Sequence, residues 1–365
     1  MYFGYYNITY IFHYILLTYV FQVGKANFSN YLLFRLSHDE DTSCERILTK
    51  NKISCIIIIT HFVNKRGDWM QSHNTSVISV FEAIAQLGEA SRARISDMTG
   101  FSQVTVGKAV ELLDSCGIIT QHKSTSGTVG RKSGMCRIVK SNGMLIFDLT
   151  DTPNAGLYDI TLSLCDEYSS TELADMTVQG LTRFSEILGG ELMGIGCVMP
   201  DTDKTMYADG ISDLIGITPE LVITSNRAYA VANAKRFEYN GMAAFVRLKA
   251  DGSADGALVY NNSLFTGAHG GAGEFSRLFS SREMLCEKIT SLCLTLDPGL
   301  IHISCESKKE CADLSVQLTE SLQTLDTDKM PSVIVEPLVH CRSAMEGAAE
   351  LLREKYILSK IPNNT

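Results

Sequence analysis

The chain has 365 residues, enough for two domains of ordinary size, and it is 45% hydrophobic and 20% charged. That composition excludes a wholly disordered chain, a collagen-like repeat and a small disulfide scaffold. The net charge of −9 excludes a uniformly basic nucleic-acid coat, yet it is spread unevenly: residues 1–75 carry +2, residues 76–140 carry +3 and residues 141–365 carry −14. A short basic segment ahead of a large acidic one points to nucleic-acid contact at one end of the chain.

Met1 to Val23 has no charged residue and is crowded with Tyr, Phe and Ile. Its length reaches the roughly 20 residues that span a bilayer. It lacks a basic leading region and a small-residue cleavage motif, and Asn7, Thr9 and His13 interrupt it. Codons for Arg66-Gly67 can form a purine-rich run at the distance of a bacterial ribosome-binding sequence before Met70. The preferred reading is therefore that translation starts at Met70 and that 1–69 is a non-native, upstream-translated segment. A membrane anchor is the other reading.

From Ser76 the pattern sharpens. Val77, Val80, Phe81, Ile84 and Leu87 recur at helical spacing and define one apolar face, which Gly88 ends. Ser91 is expected to cap a second helix with Ile95 and Met98 inward, and Gly100 to make a tight turn. Ser102 then caps a third helix, Gln103 to Cys116, with Val106, Val110 and Leu113 buried. Ile118 to Thr120 and Cys136 to Val139 read as two strands joined by a polar, basic hairpin tip over 123–133. Together these elements predict a winged helix-turn-helix over 70–140. Ser102, Gln103, Thr105 and Lys108 are expected to face base edges and backbone in a major groove, and Arg131 and Lys132 of the wing to reach phosphates or a narrow minor groove. A winged helix used for protein docking is the competing reading, and the basic wing argues against it.

Residues 141–365 alternate strand-like and helix-like stretches, predicting an α/β body with antiparallel elements. Strands are expected at Met144 to Leu149, Tyr158 to Leu164, Leu192 to Val198 and Leu221 to Thr224, with a turn from Thr150 to Gly156. Ala243 to Leu248 and Gly256 to Tyr260 should pair antiparallel. Helices are expected at Thr171 to Leu188, Asn226 to Glu238, Val316 to Leu325 and Arg342 to Tyr356. The carboxylates of 201–213 read as a solvated acidic edge. The 11 cysteines are scattered, with no C-x-x-C or C-x-C pair, so neither a disulfide framework nor a metal site is expected.

The order of short motifs resembles the ROK family of repressors and sugar kinases over about 70–360. In the head the resemblance rests on Thr99-Gly100-Phe101-Ser102, Thr105-Val106, Leu112-Leu113 and Gly130-Arg131-Lys132. In the body it rests on Gly194 to Pro200, Ser225-Asn226-Arg227-Ala228, Leu264 to Gly267, Gly271 to Phe275 and Gly347-Ala348-Ala349. The resemblance implies a two-lobed actin/hexokinase-like, ribonuclease H-like domain behind the head. Each motif is weak alone, and their order and spacing carry the match.

The departures bear on activity. Kinases of the family place an Asp after the Asn as catalytic base; Arg227 stands there, a permanent cation that cannot accept a proton. Their first phosphate loop, D-x-G-G-T, reads Asp148-Leu149-Thr150-Asp151-Thr152, and the second carries Asp251 and Asp255. The His of G-E-x-G-H, a zinc ligand in the family, is Arg277, and the cysteine-rich zinc segment is absent. The expected protein is a kinase-dead, dimeric, cytoplasmic transcriptional regulator of carbohydrate metabolism, a repressor, with no catalytic residues and no cofactor. Its partners would be a double-stranded DNA operator, a second copy of the chain and an effector: a sugar at Asn226 and Glu274, or an anionic sugar phosphate at Arg227 and Arg277, with a body that only dimerises and senses nothing as the competing reading. Asn226 as a simple helix cap is the structural alternative, and an active sugar kinase and a membrane-anchored regulator are the functional ones.

Overall fold

The computed structural model describes residues 75–123, 134–170, 172–201, 204–237, 239–273, 275, 284–323 and 330–361. Gln71–Thr365 form one unit, and the expectations for 1–69, for Arg131 and Lys132, and for Glu274 and Arg277 lie outside the described residues. No helix among the described residues is long and apolar enough to cross a membrane.

Helix α1 (75–87) buries Val77, Val80, Phe81 and Ile84, as its spacing predicts. Gly88 follows at φ +70°, a left-handed turn that favours glycine. Strand β1 (Glu89–Ser91), helix α2 (Arg92–Thr99), helix α3 (Gln103–Ser115) and strands β2 (Ile119–Lys123) and β3 (Gly134–Ile138) complete the head. Its sheet runs β1-β3-β2, antiparallel throughout, with Cys136 paired to Ala90 on one side and Gln121 on the other. The three-residue β1 was not expected, being too short for an alternation signal. Met98 was expected inward, but α2 is only eight residues long and Ile95 alone is buried; Met98 faces solvent.

The body repeats one strand order twice. The first sheet contains β4 (Gly143–Asp148), β5 (Asn154–Asp159), β6 (Leu164–Ser169), β7 (Leu192–Met199) and β8 (Leu221–Thr224), ordered β6-β5-β4-β7-β8. The second contains β9 (Met242–Leu248), β10 (Ala254–Tyr260), β11 (Ser263–Leu264), β12 (Leu300–Cys305) and β13 (Ser332–Pro337), ordered β11-β10-β9-β12-β13. In both, three antiparallel strands precede two parallel ones. Helices α4 (Leu173–Ile187), α5 (Lys204–Ile215), α6 (Ser225–Phe237), α7 (Leu285–Leu296), α8 (Lys308–Gln323) and α9 (Ala344–Ser359) intervene or follow. This is the two-lobed, actin-like α/β fold.

One expected strand is displaced. The sequence from Tyr158 to Leu164 reads as one continuous strand, but the chain reverses inside it. Asp159 Oδ1 accepts hydrogen bonds from the backbone N–H groups of Thr161 and Ser163 at 2.8 and 3.0 Å and from the Thr161 hydroxyl at 2.6 Å. Leu162 takes φ +67°. The side-chain turn outcompetes strand pairing there, so β5 begins earlier, inside the stretch expected to turn, and β6 starts only at Leu164. The Ala243 to Leu248 and Gly256 to Tyr260 pairing is present, in the register Gly256↔Val246.

Helix α9 sets the arrangement of the parts. Its Met345, Ala348, Ala349, Leu352, Tyr356 and Ile357 join one apolar cluster with Met144, Ile146 and Val198 of the first sheet. The same cluster includes Val77, Phe81, Ile84 and Val110 of the head, so head and first lobe share a continuous core. Ser343 caps α9 in a reciprocal capping box with Glu346.

Candidate functional site

Two regions carry the expected chemistry: the exposed start of α3, and the polar floor between the two sheets of the body.

In the head, Gly100 takes φ +71° and its N–H bonds the Ser96 carbonyl at 2.9 Å, closing α2 and reversing the chain within three residues. Ser102 Oγ accepts from the Thr105 N–H at 3.2 Å and lies 3.0 Å from Thr105 Oγ1. The Thr105 hydroxyl is therefore turned back on the cap, while Gln103 and Lys108 are exposed. Val104 stands beside them with 70% of its surface exposed. An apolar side chain at that place suits a thymine methyl group. Sequence reasoning missed it because Val104 lies next to a polar residue and breaks no pattern. Arg92 crosses α3 beneath this face, where an added Cβ on Gly107 would come 3.4 Å from Arg92 Nη1. It bonds Gln121 at 3.0 Å and Glu111 at 3.4 Å, tying α2 to α3 and β2.

In the body, Asn226 and Arg227 open α6 and both are buried. Both ends of the Asn226 amide are bonded: Nδ2 donates to the Gly256 carbonyl at 3.0 Å, and Oδ1 accepts from the Thr224 hydroxyl at 2.6 Å and the Arg227 N–H at 2.7 Å. Its own N–H donates to Asp201 Oδ1 at 2.9 Å. The Arg227 guanidinium donates to the Gly270 carbonyl. Asn226 thus anchors the start of α6 to β10, across the two lobes.

Beside it runs an ion network that the sequence did not announce. Arg247 holds Asp255 through two nitrogens at 3.1 and 3.0 Å, with Lys249 Nζ at 2.8 Å from the same carboxylate and Asp201 at 3.6 Å from Arg247. Asp255 is fully buried; burial raises its carboxyl, but the Arg247 hydrogen bonds and charge outweigh this and hold it below the usual carboxylate range. Asp201 lacks such direct pairing: burial, then the hydrogen bond and charge of Asp255, push its carboxyl up to about 7. Asp201 is therefore not part of a solvated acidic edge, as expected, because the chain after Met199 turns it inward against α6. No local spacing marks this network, since Asp201 follows β7 while Arg247, Lys249 and Asp255 belong to the β9–β10 hairpin.

The two loops that resemble phosphate loops are closed by their own side chains. Asp148 Oδ1 accepts from the Thr150 N–H at 3.0 Å and the Thr150 hydroxyl at 2.7 Å. Asp251 Oδ1 accepts from the Ser253 N–H at 2.9 Å and hydroxyl at 2.6 Å. Each acidic side chain thus occupies N–H groups that a bare glycine loop would offer to an anion.

No protein-family model matches the chain, and no curated protein matches it. Solved structures do. A ROK family transcriptional regulator described as a homologue of the E. coli Mlc protein aligns over 79% of this chain and 99% of its own, at 12% identity and a TM-score of 0.54. A ROK family protein from Streptococcus pneumoniae, in complex with sucrose, covers 60% of this chain and 99% of its own, at 12% identity and a TM-score of 0.43. A ROK hexokinase from Thermus thermophilus covers 57% of this chain and 97% of its own, at 13% identity and a TM-score of 0.42. Structural neighbours of this chain are thus ROK family proteins, regulators and kinases both, and the likeness is one of fold.

Proposed function

We propose that the chain is a sequence-specific DNA-binding transcriptional repressor of the cytoplasm, with a head over 70–140 and a body over 141–365. The body does no catalysis: it pairs two copies and holds their heads at the spacing of an operator. The observation that carries this reading is the start of α3, where Gln103, Val104 and Lys108 stand exposed on a helix whose opposite side is fixed by Val106, Val110 and Leu113. A helix so mounted presents polar and apolar contacts together, as major-groove readout requires. The sequence adds two cations, Arg131 and Lys132, as the proposed phosphate contacts of the wing.

A sugar kinase would need a base where Arg227 stands and open N–H groups where Asp148 and Asp251 close their loops, which favours the regulator. A sugar or sugar-phosphate effector would bind through Asn226, Arg227, Glu274 and Arg277, and would have to exchange its hydroxyls for the bonds that Asn226 makes to Thr224 and Gly256. Such binding acts on the contact between the lobes and so on the spacing of the heads.

The test is a gel-shift titration on an operator selected from random sequence. The triple variant Lys108→Ala, Arg131→Ala, Lys132→Ala is expected to weaken binding and to flatten its salt dependence, by about one unit of log–log slope for each lost phosphate contact. Unchanged affinity and slope in the triple variant would overturn the assignment.

A further inference from the structure

The second lobe holds a cluster that neither the DNA-binding face nor the interlobe network uses. His302 on β12 is fully buried, Glu336 sits near the end of β13, and Cys341 lies two residues before the cap of α9. His302 Nε2 is 2.8 Å from Glu336 Oε1, Cys341 Sγ is 3.7 Å from that same oxygen, and the sulfur is 4.0 Å from His302 Nε2. We propose that His302, Glu336 and Cys341 form a zinc-binding site that fastens the entry of α9 to the second sheet.

The geometry fits the ion. Bond lengths of about 2.0–2.1 Å to nitrogen and oxygen and about 2.3 Å to sulfur, at tetrahedral angles, set donor separations of about 3.3 Å for N–O and about 3.5 Å for S–N and S–O. Each observed separation lies within about half an ångström of that triangle, less than a side-chain torsion adjusts. One imidazole, one thiol and one carboxylate are the donor types that zinc takes together, whereas magnesium and calcium prefer oxygens alone.

The fourth position is left to a water or to the Tyr229 hydroxyl, which lies within reach of the Cys341 thiol and the Ser304 hydroxyl. One side of the cluster is apolar, with the Phe237 and Phe245 ring centroids 5.1 and 5.5 Å from that of the imidazole. Arg236 grips both Glu336 oxygens, keeping a 3.0 Å bond to Oε2 and another to the His340 carbonyl. On metal binding the guanidinium gives up Oε1 and keeps Oε2, becoming the outer partner that orients the carboxylate. The thiol binds as thiolate, so each zinc taken up releases one proton to solvent.

The site would act on the helix that joins the parts. Cys341 stands just before α9, whose buried face is shared with the head, so an ion bridging β12, β13 and this segment restrains α9 at its origin. The full chain, freed of any affinity tag and stripped with chelator, is titrated calorimetrically with Zn2+ alone and then loaded with Co2+. The expected result is one ion per chain, a higher melting temperature on loading, and a thiolate-to-cobalt absorption band. In Cys341→Ser the band disappears and zinc affinity falls at least about 100-fold, the upper end of what even an outer-shell partner contributes. Failure of the stripped wild-type chain to take up zinc overturns the proposal, as does a Cys341→Ser variant that binds with unchanged affinity. The cobalt band is read on the wild-type chain, so the result does not depend on the variant folding.

Discussion

Half-buried Asp201 and buried Asp255 belong to one network, yet they are pushed in opposite directions because Arg247 serves one far better than the other. A carboxyl raised to about 7 in the folded chain, from near 4 when unfolded, binds more protons folded than unfolded across that interval. Its stabilising contribution is complete below about pH 4 and is lost as pH rises through about 7. Asp255 shifts downward, and its window lies below pH 4, outside this range. Asn at 201 keeps the acceptor for the Asn226 N–H and cannot ionise. The Asp201→Asn variant is therefore expected to gain melting temperature relative to wild type at pH 8 but not at pH 4.5. The comparison cancels the titrating groups that Asp201 does not touch, and a constant difference across pH would show that Asp201 does not carry the shift. Sequence reasoning put Asp255 in a phosphate loop and Asp201 on an acidic edge, because their meaning as a pair comes from Arg247, on a strand beyond α6. Burial and partner together set a carboxylate's character, and neither is written in its neighbours along the chain.

At the level of elements, the legible parts are those whose period is long enough to read. Helix α1 shows four buried apolar residues at three- and four-residue spacing, and the β9–β10 pair shows two continuous apolar runs separated by a short polar turn. The lost parts are short or overruled: β1 has three residues, and the Asp159 side chain breaks the run that looked like one strand. The crossing of α9 over α6 was legible only as composition, in Gly347-Ala348-Ala349, and the structure supplies its reason. A Cβ on Gly347 would lie 1.8 Å from the Ala228 carbonyl oxygen, a backbone atom that cannot swing aside. Gly347→Ala must push the two helices apart, at an expected cost of about 1–3 kcal/mol. Gly210, in α5, has open space around its Cβ position, so Gly210→Ala should instead stabilise by about 0.5–1 kcal/mol through helix propensity. Urea unfolding of the two variants checks both signs at once, and equal shifts would contradict the packing argument.

Across the whole molecule, the uneven charge told apart a basic head and an acidic body, and the duplicated strand order explains how 225 residues can form two lobes without any visible sequence repeat. What the charge did not tell is how firmly the head is mounted. Glu82 of α1 pairs with Lys235 Nζ at 3.3 Å and reaches Arg353 at 3.9 Å, while Arg353 lies 5.2 Å above the Phe81 ring. Asn142 donates to the Gly117 carbonyl, and Cys116 Sγ to the carbonyl of Lys360 beyond the end of α9. These contacts rim an apolar cluster that passes from Val77 and Ile84 to Ile146 and Tyr356 without a break. A head hung on a flexible tether would keep its own core and melt by itself; a head that shares its core with the first lobe loses apolar burial as soon as that lobe opens. The head and first lobe are therefore expected to unfold together in a single calorimetric transition, detected at one temperature by probes attached in α3 and in β5. An earlier transition confined to α3 would mean that the joint yields first. If they melt as one, α3 is held at a fixed place on the body, and under the function proposed above any ligand or ion that shifts α6 or α9 would shift the spacing of the two heads with it.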